Sequence, residues 1–274
     1  MAHPASGFYV RNGLEYVSQS TVVGETDPVF DPEKVKSLEI WRAKCEAEGI
    51  DWEAIMEDSC ERGTLLHYKI ESKLGFPTDP PPEMTPARRK HLLIADYVSQ
   101  MREFVGMLHT VRSMGDSSKI RVEQEKFSDD FGFACTSDMT LHIGFTKKGW
   151  DYHASHLGPD APYTVLDWKN VRPPDFEKLE AQGKKPKAKS RSDHASNFIQ
   201  LGANALAHNE MVRRGEINEP LITQGVICAM YSWRSPRFHI LNLEQLTEQV
   251  MLFVERLAYY QSIYGKLPRP VQTG

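Results

Sequence analysis

Residues 163–169 read Tyr-Thr-Val-Leu-Asp-Trp-Lys, and this stretch decides the fold prediction. It is short and mostly apolar, and it lies between a predicted loop (144–162) and a polar, basic connection (172–192). Such a run is typical of a strand at the centre of a sheet. Residues two apart on a strand point to the same face, so Asp167 and Lys169 are expected side by side. At a cleft, such a pair could hold a divalent metal and place an ammonium beside the water that attacks a phosphodiester.

The Asp-x-Lys pattern taken alone is weak. With average usage of charged residues it occurs by chance about once in a chain of this size. Glu71-x-Lys73 also matches, but on a predicted helix. The alternative interpretation of Asp167 and Lys169 is a surface ion pair, which their apolar strand disfavours.

The surrounding pattern predicts an α/β protein. Strands are predicted at 119–127 and 133–143 as a hairpin, then at 163–169, 221–233 and 238–243. Helices are predicted at 32–48, after Asp51 with an interruption at Gly63, at 86–112, at 193–214 and at 243–264. We therefore expect a single domain over 1–274, with a helical N-terminal part (1–115) and an αβ core (116–274) that has a small mixed central sheet flanked by helices.

Composition narrows the class of protein. The chain has 274 residues, 40% of them hydrophobic and 26% charged, with a formal net charge of -4, which indicates a folded globular chain. No apolar run reaches the roughly 20 residues of a membrane helix, and residues 1–13 lack a signal pattern, so a cytoplasmic location without membrane contact is predicted. The four cysteines form no C-x-x-C pair, and dinucleotide- and phosphate-loop motifs are missing, which argues against dehydrogenases and kinases.

Three further segments carry side chains that could join Asp167. Asp138 ends the stretch Gly132–Asp138 on the strand before, and neighbouring strands lie about 5 Å apart, so both carboxylates could share Mg2+ or Mn2+. His67 and Glu71 share a helix face. Gln200 follows on a later helix and could bind phosphate or base. Each has an ordinary alternative: a polar hairpin residue, a structural histidine and a partly buried amide.

Taken in order, these pieces resemble the RecB-type branch of the PD-(D/E)XK nucleases. The family pattern is G-x-x-x-H with a following Glu, then G-x-x-x-x-D or similar, then D-x-K, then Q-x-x-x-Y. The resemblance covers roughly residues 38–264. Here the pattern reads as Gly63…His67…Glu71, Gly132…Asp138, Asp167-Trp168-Lys169 and Gln200…Asn204. The Asp-Trp-Lys form and the Arg62-Gly63-Thr64 entry are similar to mitochondrial genome-maintenance exonucleases and their phage relatives.

The resemblance implies a restriction-endonuclease-like core and a role for each matched residue. It implies Mg2+ or Mn2+ ligands at His67, Asp138, Asp167 and the backbone carbonyl of Trp168. It implies a catalytic set of Lys169, Asp167, Asp138, Glu71 and Gln200, with Glu123 as the acidic residue of the preceding strand. Asn204 stands where the family has tyrosine, and Cys135 where a glycine is common. Some relatives hold an iron–sulfur cluster with four cysteines, a role that the scattered cysteines here do not suit.

A basic segment at 183–191, Gly-Lys-Lys-Pro-Lys-Ala-Lys-Ser-Arg, joins the Asp167 strand to the Gln200 helix. We expect a mobile, solvated loop beside the cleft that guides the phosphate backbone of DNA. The predicted DNA-binding residues are Lys184, Lys185, Lys187, Lys189, Arg191 and Arg172, and His194 could extend the same track. The alternative is a surface connection that touches nothing.

These observations lead to one expected function and two alternatives. The expectation is a metal-dependent DNA exonuclease acting on ends of single-stranded or linear DNA, in replication, recombination or degradation. The alternatives are a structure-selective endonuclease of the same fold and a non-catalytic DNA-binding module, which would have no need for carboxylates clustered near phosphates.

Overall fold

A mixed β-sheet flanked by helices forms the centre of the molecule and confirms the predicted α/β class. The computed structural model describes residues 7–74, 83, 86–89, 106, 120–149, 151–172, 174–190, 192–231 and 233–271. Within these residues the sheet has nine strands, more than the five that the sequence predicted. The described helices include none with the length and apolar composition needed to cross a membrane.

The strands and helices are numbered in chain order. The strands are β1 Phe8–Arg11, β2 Leu14–Ser18, β3 Arg121–Ser128, β4 Phe133–Lys148, β5 Asp151–Leu157, β6 Tyr163–Asn170, β7 Gln224–Met230, β8 Arg237–Leu241 and β9 Arg269–Pro270. The helices are α1 Gln19–Phe30, α2 Pro32–Ala47, α3 Trp52–Leu74, α4 Pro86–Arg89, α5 Phe176–Ala181, α6 Ala195–Arg213 and α7 Leu243–Tyr264. A 3-10 turn at Ser192–His194 leads into α6.

Strand β6 is central, as its apolar sequence predicted. It pairs antiparallel with β4 and parallel with β7. Its side chains alternate between two cores: Val165 packs with residues of α6, whereas Leu166 and Trp168 pack with residues of α3. A strand covered on both faces has no face exposed to solvent. This explains why residues 163–166 are mostly apolar and do not alternate between apolar and polar residues.

Helices α6 and α7 lie unusually close together at Gly202. A Cβ atom at this position would lie 2.6 Å from the backbone carbonyl carbon of Gln249 on α7. Since real Cβ atoms do not approach a backbone so closely, glycine is required there. Gly202 therefore allows the close packing of α6 on α7.

Strand β4 changes partners along its length, and this change opens a gap in the sheet. Its beginning pairs in parallel with β2, at Phe133 and Ala134, and its middle pairs with β6 from Met139 onward. Between these positions, residues 135–137 of β4 pair with β3 alone among the described strands. Asp138 therefore lies at a point of β4 that neither β2 nor β6 pairs with.

The prediction that residues 1–115 are helical is wrong for the start of the chain. Strands β1 and β2 form an antiparallel hairpin, and β2 joins the central sheet. Asn12 and Gly13 form its turn with positive φ angles of 54° and 77°. Asn-Gly between two strands is a strong hairpin signal. The hairpin was nevertheless hard to predict, because its strands are only four and five residues long and because β2 pairs with β4, which is far away in sequence.

Three local predictions are also corrected. The segment 144–162 is not a loop, because β4 continues to Lys148 and turns at Gly149 into β5; β5 is polar and lacks clear alternation. Helix α3 runs through Gly63 without interruption, since a single glycine costs a helix only about 1 kcal/mol. The connection 172–192 contains the short helix α5.

Several helix boundaries agree with the prediction. Asp31 caps α2 by accepting from the Lys34 amide, with Pro32 in the first turn. Asn242 and Gln245 form a reciprocal capping box at the start of α7. Of the helix predicted at 86–112, Pro86–Arg89 is helical, and most of the remainder lies outside the described residues.

Candidate active site

Three carboxylates lie at one level on three neighbouring strands. Strands β3 and β4 pair at Val122–Met139 and at Gln124–Ser137, which sets Glu123 opposite Asp138. Strands β4 and β6 pair at Met139–Leu166, and the next residues beyond this pair are Asp138 and Asp167. Asp138 thus stands between the other two acids, at the gap where β4 has lost one strand partner.

The backbone of Glu123 adopts a conformation that is rare for a residue with a side chain. Its φ is 49°, in the left-handed region, which costs roughly 1–2 kcal/mol for a residue other than glycine. Such conformations persist where the surrounding structure enforces them, and they are common at functional sites. Here the distortion occurs at the residue that faces Asp138.

His67 and Glu71 approach these acids from α3, as the predicted helix face requires. The His67 ring lies between two carboxylates, with Nδ1 3.3 Å from Glu123 Oε1 and Nε2 3.8 Å from Asp138 Oδ2. Glu71, one turn further along α3, joins His67 and Glu123 in a group whose ligand atoms all lie within 4.8 Å of one another. The residues of this group are half-buried.

The proximity of like charges shows in the acid–base properties of the site. Burial, together with the nearby Glu123, raises the pKa of Glu71 to about 7. Burial by itself would lower the pKa of His67, but the carboxylates of Asp138 and Glu123 raise it to about 9. The negative charges of these acids therefore stabilise the protonated imidazolium form of His67.

Asp167 and Lys169 form the close pair expected from their strand spacing. The Lys169 ammonium donates to Asp167 Oδ1 at 3.0 Å and lies 2.9 Å from Oδ2. Burial raises the pKa of Asp167 to about 6 against the opposing effect of Lys169, and the neighbouring Asp138 adds to the rise. The buried Oδ2 atom accepts no well-aligned hydrogen bond within the described part of the chain.

The remaining predicted site residues are Trp168 and Gln200. The amide of Trp168, rather than its carbonyl, has a visible role: it donates to Asp138 Oδ2 at 2.7 Å and fixes that carboxylate. Ligation by the Trp168 carbonyl stays a prediction. Gln200 is half-buried on α6, and its side chain makes no hydrogen bond to the described residues. Asn204 is buried and donates back to the Gln200 carbonyl.

The basic segment is an exposed loop whose end contacts the rest of the protein. Its four described lysines, Lys184, Lys185, Lys187 and Lys189, are exposed, as is Arg172; Arg191 lies outside the described residues. At the end of the segment, the Lys189 amide donates to the Tyr231 hydroxyl at 3.0 Å, and Ala188 packs beside Val171 and Tyr231. The alternative of a connection that touches nothing therefore does not hold at 188–189, and the mobility of the loop stays a prediction.

Sequence reasoning underestimated two parts of this region. It gave Glu123 an uncertain role, although Glu123 contacts His67 and faces Asp138; the signal was its placement on the strand paired with that of Asp138. It also named His194 only as an extension of the basic track and did not name Asn197. Both line a pocket beside Lys169, and no local sequence pattern brings these residues to the end of β6.

The cysteines occupy four different elements, α2, α3, β4 and β7, as free thiols. Cys45, Cys135 and Cys228 are buried, as expected for small core residues, and Cys60 is exposed. Cys135 lies opposite Lys126 in the sheet, and burial raises the pKa of its thiol to about 12.

A scan against models of protein families found no match for this chain, and a search of curated proteins found no similar sequence. The function is therefore inferred from the geometry and chemistry of the site itself.

Proposed function

We propose that the protein is a metal-dependent deoxyribonuclease with a PD-(D/E)XK core of the RecB type. It hydrolyses phosphodiester bonds, from the ends of single-stranded or linear DNA, during replication, recombination or degradation of DNA. The observation that carries this proposal is the group of Glu71, Glu123 and Asp138 around His67, with the Asp167–Lys169 pair on the neighbouring strand β6.

The charge balance of the site supports a divalent cation. Among the described side chains, four carboxylates lie near one ammonium and one imidazole. Burial, with a smaller contribution from neighbouring acids, raises the pKa values of Glu71 and Asp167. Oxygen donors suit Mg2+ and Mn2+, and an imidazole among them suits Mn2+ better. His67, Asp138, Asp167 and Glu123 are the residues that would hold the ion, with Glu71 beside them.

Two observations test the fit of these residues to a cation. Asp167 Oδ2 is buried and accepts no well-aligned hydrogen bond from the described residues, although the Lys169 ammonium lies 2.9 Å away, so this oxygen could still ligate a cation. His67 binds a proton strongly because of the carboxylates around it, and a metal ligand must be deprotonated. To hold a cation, His67 would release one proton, and the cation would then offset the negative charge of Glu123 and Asp138 in its place.

The chemistry divides between the ion and the protein. When bound, the ion lowers the pKa of water and offsets negative charge on the phosphate. Lys169 is held by Asp167 with its ammonium at the end of β6, where it can donate to a phosphate oxygen as negative charge grows there. The Trp168 amide keeps Asp138 in place, so the carboxylate does not have to reorganise during the reaction.

The exposed lysines of the 184–189 segment supply a path for DNA. They follow β6 in sequence, and Lys189 lines the same pocket as Lys169. On a chain with a net charge of -4, a local group of cations steers polyanions by position rather than by total charge. A binding module without catalysis would gain nothing from carboxylates next to this path.

The experiment is a DNA degradation assay with purified protein. Linear and circular DNA, single- and double-stranded, are incubated with Mg2+, Mn2+, Ca2+ or EDTA. We expect linear DNA to be degraded with Mg2+ or Mn2+, no cleavage in EDTA, and inefficient cleavage with Ca2+, which is larger and coordinates more loosely. Cleavage of circular single strands would instead support the endonuclease, and binding without cleavage under every condition would support the non-catalytic module.

A further inference from the structure

A pocket of about 390 Å³ lies at the end of β6, on the side of Lys169 that leads to the basic segment. It is formed by Lys169–Arg172, Lys189 and the start of α6, including His194 and Asn197. Its volume falls in the lower part of the range of small-molecule sites, ~300–1,000 Å³. It is therefore large enough for more than a single phosphate ion.

The charged groups of the pocket favour an anion. Lys169, Arg172 and Lys189 contribute three cations, and Asp193 is the one acid among its lining residues. Asp193 is already satisfied, because its Oδ2 accepts from the Ser190 amide at 2.6 Å and from the Ser190 hydroxyl at 2.8 Å. Neither Arg172 nor Lys189 forms a salt bridge with any described side chain, so both cations remain available.

His194 adds a buried donor without a partner. The residue is 5% exposed, and its Nδ1 lies 3.2 Å from the Asn197 amide nitrogen, which donates to it. The neutral ring then carries its hydrogen on Nε2, and this buried atom has no hydrogen-bond partner in the described residues. Burial lowers the pKa of His194, with help from Lys189 and Lys169, so the ring is a neutral donor at pH 7.

The start of α6 also favours binding of an anion. His194 occupies the N-cap position, and its side chain does not accept from the amides of the first turn. Free amides at a helix N-terminus and the positive end of the helix dipole favour a negatively charged group. The pocket also offers an acceptor, since the buried Asn170 Oδ1 lacks a partner among the described residues.

From this arrangement we propose that the pocket binds the terminal nucleotide of a DNA strand through a phosphate monoester held by Arg172, Lys189 and His194. A monoester carries about -1.5 to -2 charges at pH 7, and a backbone diester carries one, so three cations favour the end of a strand over its interior. Because Lys169 lines both the pocket and the acid cluster, an occupied pocket places the next phosphodiester beside the acids. This inference rests on the proposed nuclease function and adds a structural basis for end-dependence.

Binding of mononucleotides tests the pocket without any cleavage. Calorimetric titrations in EDTA would use thymidine 5′-monophosphate, thymidine 3′-monophosphate, thymidine and inorganic phosphate. We expect one of the two monophosphates to bind about tenfold or more tightly than thymidine, since hydrogen bonds to a charged group are worth ~1.5–3 kcal/mol. The tighter of the two identifies which strand end enters.

Arg172→Ala should weaken that binding about tenfold. The matched control is Lys178→Ala on α5, which removes an exposed cation outside the pocket lining, and it should leave the affinity unchanged. His194→Gln, which keeps an N–H donor, should weaken binding less than His194→Ala. The proposal is overturned if thymidine binds as tightly as both monophosphates, if inorganic phosphate matches the nucleotides, or if Arg172→Ala has no effect.

The outcome separates this proposal from the nuclease itself. Selective monophosphate binding by a protein that never cleaves DNA would support the pocket and refute the nuclease. Metal-dependent cleavage with no preference for monophosphates would support the nuclease and refute the pocket.

Discussion

Two groups of acidic side chains in this protein differ in how their negative charge is compensated. The arginine-paired cluster consists of Asp129, Glu210 and Glu216 with Arg11 and Arg214; its guanidinium groups contact all three acids. The active-site cluster, Glu71, Glu123, Asp138 and Asp167 with His67, has four acids, and among the described side chains Lys169 is its one neighbouring permanent cation.

The pKa values record the difference. In the arginine-paired cluster, hydrogen bonds from Tyr16 and Arg214 outweigh partial burial and lower the pKa of Asp129. In the active-site cluster, burial and neighbouring acids raise the pKa values of Glu71 and Asp167. The acids of the arginine-paired cluster thus have guanidinium partners, whereas among the described side chains the four acids of the second group have one lysine and one histidine near them.

The largest expected effect comes from one isosteric change made in each cluster. Asp167→Asn should reduce DNA cleavage about a thousandfold or more, because the change removes charge from the site where phosphate chemistry is stabilised. Asp129→Asn should leave the cleavage rate near wild type and lower the free energy of unfolding by about 2 kcal/mol, since it weakens hydrogen bonds to a charged acceptor.

Cleavage rates and urea unfolding curves for both variants would check this contrast. Near-wild-type cleavage by Asp167→Asn would remove that residue from the site. Equal loss of cleavage in both variants would mean that the two clusters do not differ in function.

Lys169→Met should reduce the cleavage rate about a hundredfold, the effect of losing one donor to a developing charge. The matched control is Lys178→Met on α5, which removes an exposed ammonium from a nearby segment. Single-turnover kinetics with saturating enzyme would isolate the chemical step. If the two methionine variants cleave at the same rate, Lys169 has no special role.

The pH dependence of stability should have opposite signs in the two clusters. The folded-state pKa values of Glu71 (about 7) and Asp167 (about 6) lie above their ordinary values, so the stability linked to them falls as pH rises from about 4 to 7. The His67 contribution is complete below its ordinary pKa of 6.5 and is lost as pH rises toward 9. The lowered pKa of Asp129 gives stability that is lost only as pH falls through the acid range.

Urea unfolding in EDTA at pH 5 and pH 8 measures this dependence. Glu71→Gln removes one of the titrating groups, so the loss of stability between these pH values should shrink by on the order of 1 kcal/mol relative to wild type. Mn2+ should reduce the wild-type loss, because metal ligands are deprotonated. A pH dependence unchanged by Glu71→Gln would contradict the raised pKa.

The smallest effect is expected from the basic segment. Replacing Lys184, Lys185, Lys187 and Lys189 with Gln should weaken DNA binding about tenfold and reduce the salt slope, which scales with the number of phosphate contacts. The control is Lys147→Gln with Lys148→Gln, exposed lysines at the β4–β5 turn. Titrations at several salt concentrations would decide: an unchanged affinity and slope would show that the segment is only a connection.

The sequence was most informative where local chemistry determines structure. The central strand β6, the pairing of Asp167 with Lys169, the Asp31 and Asn242 caps and the shared face of His67 and Glu71 all follow from spacing within a few residues. Pairing between distant segments was harder to predict. The parallel pairing of β2 with β4 brings together positions more than 100 residues apart, and the pocket at the start of α6 depends on three separate segments.

The central claim is that the active-site cluster binds a divalent cation. A calorimetric titration of Mn2+ into wild-type protein, Asp167→Asn and Asp129→Asn tests it most directly, with no substrate present. The prediction is saturable binding to the wild type and to Asp129→Asn, and binding at least about tenfold weaker to Asp167→Asn. The claim is contradicted if the wild type does not bind Mn2+ or if Asp167→Asn binds it as tightly as the wild type does.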